Sequence, residues 1–290
     1  VSAANDPDLF WALRGGGGGN FGIVTSFRFA APKAPSSVVV FSLQFPAGSA
    51  TNVLGAWQSW LATLPNEAWS NCVVSAGSTP SIRVGGSFVG SKATIDSLLD
   101  DFVAKTHAQP TKRSVVEKSY IDAMRYFGGC STKTLAQCHL ASESAGGVLE
   151  RQAFVASSRM LESPMSAPDQ LTALLAKYSG MDVLFDSLGG KVAETPPDAT
   201  AFPHRTALAS VQVYKGTTAA NRANATRQVG EVQTALASIV GGGAYINYID
   251  PNQRDWGRAS YKGNLEKLAS VSRAYDPDGF FAFAQSVTAA

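Results

Sequence analysis

Tyr248 is the residue of this sequence best suited to proton chemistry, since a phenol of pKa about 10 becomes a general base once a cation or bound cofactor lowers it. It lies in Tyr245-Ile-Asn-Tyr248-Ile-Asp250, where strand alternation would set it on one face with Ile246 and Asp250, opposite Tyr245. An ordinary core tyrosine fits the same spacing. A second constellation, Asp186-Ser-Leu-Gly-Gly190 followed by Ala201-Phe-Pro-His204-Arg205, offers cations that could stabilise negative charge on a reduced cofactor or a substrate. A loop between strands, with His204 and Arg205 bonded to local carbonyls, fits equally well. The third is the run Gly15 to Gly19, bracketed by Trp11-Ala-Leu-Arg14 and Asn20-Phe-Gly-Ile-Val24. A flexible linker is one reading. Order-promoting flanks favour instead a turn whose backbone amides approach an anionic or planar cofactor. No Gly-Lys-Ser/Thr follows it and no strand precedes it, so it is neither a P-loop nor a dinucleotide fingerprint.

Other chemistries find less support. His107, His139 and His204 stand far apart and no Cys-x-x-Cys pair occurs, so no metal site is expected. Cys130 and Cys138 lie close together in a Gly/Ser/Thr-rich loop, as a disulfide or as free thiols, and Cys72 falls in an expected strand. The 24 basic and 22 acidic residues are scattered, which leaves no footprint for nucleic acid or an anionic membrane. No apolar run reaches membrane-spanning length, and no signal-peptide pattern opens the sequence. With 45% hydrophobic and 16% charged residues, 290 residues can bury a sizeable core. A soluble protein acting on a small molecule is the default expectation; its compartment stays open.

The elements that would position these residues follow from periodicity. Asp6-Pro7 starts a short apolar helix through Leu9, Phe10 and Leu13, which needs a partner, and none precedes it. Asn20 to Phe29 alternates as a strand, and Ala30 to Ser37 reads as a domain crossover. Strands are expected at 39–45, 72–75, 82–89, 153–157, 183–186 and 207–214. Helices are expected at 53–64, 92–106, 168–178, 218–240 and 255–273. Adjacent strands without an intervening helix imply antiparallel pairing, hence an α+β fold with a large antiparallel sheet backed by helices.

Four stretches together resemble the berberine bridge enzyme-like flavoproteins of the vanillyl-alcohol oxidase/p-cresol methylhydroxylase superfamily. They are DPDLFWALRGGGGGNFGIVTSF (Asp6 to Phe27), the DSLGG and TAFPHR pair (Asp186 to Gly190, Thr200 to Arg205), YINYID (Tyr245 to Asp250), and the run from Trp256 through Asn264 to YDPDGFFAFAQSV (Tyr275 to Val287). The resemblance implies that residues 1–30 end an FAD-binding domain, that 31–243 form the substrate domain, and that 244–290 are a tail returning to the flavin. It implies FAD as cofactor, with Gly18, Asn20, Phe21, Gly22, Asn247 and Asn264 binding it. Tyr248 would be the base, and His204, Arg205 and Gln212 would serve substrate binding or charge stabilisation.

Three departures accompany the resemblance. Ser260-Tyr261-Lys262-Gly263 replaces the family's aromatic pair and glycine before the tail asparagine, and Val211-Gln212-Val213 replaces the carboxylate base of some plant members. The phosphate-binding loop and the flavin-attaching His and Cys would precede residue 1. The implied activity is oxidation of an alcohol, sugar or hydroxylated natural product by hydride transfer to flavin, with the FAD-binding domain supplied by a missing segment or a separate chain. Two rivals stand beside it: a non-catalytic truncated fragment or binding module that holds no flavin on its own, and a glycine-loop phosphate binder unrelated to flavin.

Overall fold

A computed structural model describes residues 1–288. Its centre is a seven-stranded sheet: β1 (Ser37–Gln44), β2 (Ala68–Ser75), β3 (Ser81–Phe88), β4 (Lys112–Ser119), β5 (Phe154–Leu161), β6 (Asp182–Ser187) and β7 (Ala209–Gly216). The strand order is β4-β1-β3-β2-β6-β7-β5 and every neighbouring pair is antiparallel. Alternation does the sorting: Val39, Phe41 and Leu43 of β1, and Ala209, Val211 and Val213 of β7, enter one core. Four helices cover that face: α2 (Ala50–Leu61), α3 (Lys92–Thr106), α5 (Pro168–Leu175) and α6 (Arg222–Val240). Trp57, Trp60 and Phe102 are its largest buried side chains from these helices. The fold is α+β, an antiparallel sheet backed by helices, as the strand spacing implies.

The opposite face is largely uncovered. A short helix, α4 (Tyr120–Phe127), caps one end of it by placing Ala123 on Val38 and Val40. Neither α4 nor β4 is anticipated by periodicity. β4 is an edge strand dense in charge (Lys112, Arg113, Glu117, Lys118), the composition that protects an edge from further pairing and erases the apolar alternation. After α4 the chain runs through a long loop closed by a Cys130–Cys138 disulfide, with Cα atoms 5.8 Å apart; Cys72 stays free and buried.

The chain ends make a second core. Trp11 and Ala12 of α1 (Pro7–Leu13) pack with Phe21, Ile246, Trp256, Tyr261, Leu268, Val271 and Val287. The partner that α1 needs is thus the chain's own tail, some 250 residues onward, which corrects the expectation of an unpartnered helix. Three further corrections concern local structure. Asn20–Phe29 joins none of the seven strands, and Ile23, Phe27 and Phe29 are exposed. Alternation marks an apolar face, but a strand also requires a neighbour's amides and carbonyls. The helix expected over 255–273 is broken into α7 (Trp256–Tyr261), a 3₁₀ turn (Lys262–Asn264) and α8 (Leu265–Tyr275). Finally, Tyr245–Asp250 is a turn rather than a strand, with consequences for the site.

Candidate active site

The turn brings Tyr245 and Tyr248 together. The Tyr248 amide donates to the Tyr245 carbonyl at 2.9 Å, and the two rings meet edge to face with centroids 5.2 Å apart. Strand alternation would have separated them. What selects the turn is clamping from β5. Ser158 Oγ accepts from the Tyr245 amide (2.9 Å), and the buried Asp250 carboxylate accepts from Ser157 Oγ (2.6 Å) and from the Asn252 amide (2.9 Å). Gln285 Nε2 donates to the Asp250 carbonyl at 2.8 Å, tying the end of the tail to the same turn.

Against this turn lies a cavity of about 500 Å³ on the open face of the sheet. Its floor is one row of the sheet, Asp186 on β6, Ser210 on β7 and Met160 on β5, which the strand register places side by side. Tyr245, Asn247 and Tyr248 form one wall. Phe202 and Arg205, from the loop before β7, form another with Arg14 and Gly15. Phe202 meets the Tyr245 ring edge-on at 6.1 Å, so the aromatic walls support each other.

Electrostatics at the floor favour neutral acids. Burial raises the Asp186 carboxyl above the usual carboxylate range, and that carboxylate has no hydrogen-bond or ion-pair partner among the described residues. Burial likewise raises the Tyr248 phenol, with added contributions from the Asp186 charge and from Tyr245. The expected cation that would lower it is not what surrounds Tyr248 in the protein alone. The charge that acts on its phenol is the Asp186 carboxylate.

The remaining expected site residues divide into groups. Arg205 and Asn247 line the cavity with Tyr248. Gln212 lies on the same sheet face as Ser210, two residues along β7, outside the cavity wall. His204 is buried behind the wall: Nε2 faces the Ser260 carbonyl at 3.0 Å and Nδ1 faces Glu162 Oε1 at 3.3 Å, while Lys262 holds Glu162 Oε2 at 2.8 Å. These partners are distant in sequence, unlike the local carbonyls expected for it. Arg205 does bond locally, to the Phe202 carbonyl and Thr200 Oγ1. Asn20 is buried with its amide donating to the Gly16 carbonyl and its Oδ1 accepting from the Val287 amide. Phe21 belongs to the second core, and Asn264 Nδ2 reaches the carbonyls of Pro197, Thr200 and Ala201.

The glycine run has two parts. Gly15, at φ +124°, lies so near Phe202 that a Cβ would stand 2.3 Å from its nitrogen, and a Cβ on Gly17 would come 2.9 Å from Ile246. These glycines serve close packing within the chain. Gly18 and Gly22 have nothing within 4 Å of a Cβ position. Arg14, Asp186, Tyr245 and Phe202 complete the cavity without having been singled out. The motifs containing them gave the only signal, since their convergence depends on pairings across the chain.

The tail that builds the tyrosine wall is also the part that matches a family model. Residues 244–288 match the family described as "Berberine and berberine like". The chain is 32% identical over 292 residues to the uncharacterized FAD-linked oxidoreductase YgaK of Bacillus subtilis, covering 99% of this chain and 60% of that protein. It belongs to the berberine bridge enzyme-like family. A second relative of this berberine bridge enzyme-like chain, the monolignol oxidoreductase AtBBE-like 13 of Arabidopsis thaliana, is 26% identical over 98% of the chain and 57% of its own length. The chain therefore spans about three fifths of the length of these curated relatives. Among solved structures, Physcomitrella patens BBE-like 1 superposes with TM-score 0.86 at 23% identity, over 100% of this chain and 62% of that one. Berberine bridge enzyme from Eschscholzia californica gives 0.83 at 22% identity, over 97% and 61%. Both show the same fold.

The berberine bridge enzyme-like chain presents side-chain-free backbone at Gly18 and Gly22, which follow the cavity-lining Gly15 in sequence, and exposed Asn247 stands in the cavity wall with its Nδ2 donating to the Tyr245 hydroxyl at 2.8 Å. The space at the Cβ positions of Gly18 and Gly22 leaves room for a planar ring such as that of a flavin against their backbone. Among the described residues no group of His, Cys, Asp and Glu is arranged to hold a metal, and no helix is long and apolar enough to cross a membrane.

Proposed function

We propose that this chain forms the substrate side of an FAD-dependent oxidase site that oxidises an alcohol, sugar or hydroxylated natural product, with Tyr248 handling the hydroxyl proton. The observation that carries the reading is the pairing of Tyr248 with Asp186 at one cavity, each held toward its neutral form. When bound, FAD supplies the hydride acceptor. Gly18, Gly22 and Asn247 would hold its edge, while Asn20, Phe21 and Asn264, whose polar groups or rings are committed within the protein, would support that surface from behind.

The protein's own part is position and proton transfer. Tyr248 is the group at the cavity that would take the substrate hydroxyl proton; Asp186 shares the cavity without a hydrogen bond to it, so passage of a proton onward to that carboxylate would run through a water or substrate hydroxyl between them. A carboxyl raised by burial is better matched to neutral pH than an exposed one, which suits Asp186 as the final acceptor. Arg205 offers positive charge beside the cavity, Gln212 extends the polar surface along β7, and His204 fixes the Phe202–Arg205 wall from behind. A relative named for monolignols, which are alcohols, supports a hydroxylated substrate.

A second reading has this chain hold no flavin alone, the FAD-binding domain being contributed by another segment or chain. The chain's span of about three fifths of its curated relatives favours it. Visible absorbance after incubation with FAD and gel filtration separates the two. A retained flavin band supports a site within this chain; a colourless protein overturns that reading.

A further inference from the structure

Arg14, just after α1, and Arg205, in the loop before β7, stand at the same cavity although 191 residues separate them. The close packing of Gly15 on the Phe202 backbone brings the two segments together. Each guanidinium is held in the same manner. Arg14 lies 4.3 Å over the Phe10 ring and its Nε donates to the Phe10 carbonyl at 3.2 Å. Arg205 lies 5.0 Å over the Phe202 ring, its Nε donates to the Phe202 carbonyl at 3.2 Å, and its Nη2 donates to Thr200 Oγ1 at 2.6 Å. A ring beneath and a bond at Nε fix each plane while leaving Nη hydrogens unspent.

No carboxylate lies within ion-pair distance of either arginine among the described residues. Asp186 is the one carboxyl among the described lining residues, and it makes no ion pair with either arginine. Burial and then the Arg14 charge lower the Arg205 pKa, so the two cations at this cavity act on each other. Two fixed, unneutralised guanidinium groups at one cavity have the donor geometry for a planar or tetrahedral oxyanion.

We propose that Arg14 and Arg205 form an oxyanion subsite on the wall of the Tyr248 cavity, which takes a carboxylate or phosphate group. The subsite deepens the oxidase reading and rests on it only for its source. The oxyanion belongs either to an acidic substituent of the hydroxylated substrate or to the phosphates of the flavin nucleotide. In both cases an anion entering between the arginines relieves their repulsion and fixes the orientation of the molecule that bears it.

Calorimetric titration of the 290-residue chain tests this at about 10 mM ionic strength, where the Debye length is about 30 Å and surface charge is little screened. Inorganic phosphate is the first probe. Arg14→Gln and Arg205→Gln should each weaken it about tenfold, the loss of one charge-assisted contact, and the double variant should bind none. Arg205→Lys, retaining charge, should lie between, and circular dichroism checks the fold of each variant. Glucuronate binding more tightly than glucose, with the preference lost in the double variant, assigns the subsite to an acidic substrate. Added FAD that displaces phosphate assigns it to the flavin. Absence of phosphate and glucuronate binding, or unchanged affinity in the double variant, overturns the proposal. A colourless chain in the flavin test leaves the phosphate and glucuronate results standing, so the two failures are distinguishable.

Discussion

Tyr245 and Tyr248 meet edge to face at 5.2 Å, with 89° between their planes, because a turn rather than a strand carries them. The phenol of Tyr248 therefore belongs to an aromatic wall that continues through Tyr245 to Phe202. In that wall it shares a cavity with Asp186, a residue 62 positions earlier on β6.

Replacing Tyr248 by Phe keeps the ring contact and removes only the hydroxyl. In the FAD-loaded enzyme we expect turnover to fall by about two orders of magnitude, the usual contribution of a proton-transfer group, with flavin content unchanged. Turnover equal to that of the parent would remove Tyr248 from the role.

Asp186→Asn tests the floor of the cavity through stability. Burial raises the folded-state pKa above the ordinary Asp value of about 3.9, so between those two values the folded chain binds more protons than the unfolded chain. The contribution of this group is fully present below about 3.9 and is lost as pH rises through the raised value. The Asn variant should melt higher than the parent near neutral pH, and the gap should close as the pH falls through that window. A variant that melts lower at neutral pH contradicts the assignment of a half-buried, unpaired carboxyl.

Glu162 has the opposite sign. Its hydrogen bond with His204 and then its contact with Lys262 hold the carboxyl below the usual range, against the effect of burial. Its contribution is present above the ordinary Glu value of about 4.3 and is lost as pH falls through the depressed folded value. Glu162→Gln should lower the melting temperature near neutral pH, and this deficit should shrink in acid. A deficit independent of pH would place the effect in packing instead.

The joined chain ends are testable by denaturation. Trp11 is buried against the tail, and Trp11→Ala should cost about 3–5 kcal/mol in urea unfolding. Tyr261, also buried, donates to the Gly16 carbonyl at 2.8 Å, and Tyr261→Phe should cost about 0.5–1.5 kcal/mol, the net worth of one hydrogen bond, because the Asn20 side-chain amide still donates to that carbonyl. Near-parent stability in both variants would mean that the second core contributes little to folding.

The sequence by itself determined the elements whose signals are local. α3 spans Lys92–Thr106 as its spacing implies, because Ser91 caps it, accepting from the Thr94 amide, and Ile95, Leu99 and Phe102 fall on one face. The antiparallel character of the sheet followed from strands such as β2 and β3 that adjoin without a helix between them. The four motifs likewise carried the family. Tertiary structure decided the rest. The same six residues, Tyr245 to Asp250, alternate as a strand would, but bonds from Ser157 and Ser158 on β5 hold them in a turn. α1 lacks a local partner and takes Leu268 and Val271 from the tail. The site exists only because strand register sets Asp186 beside Ser210 and a glycine's close approach sets Arg14 near Arg205. Periodicity reports which face of an element is apolar, whereas the meeting of residues 14, 186, 205 and 248 depends on hydrogen-bond register and packing between segments far apart in the chain.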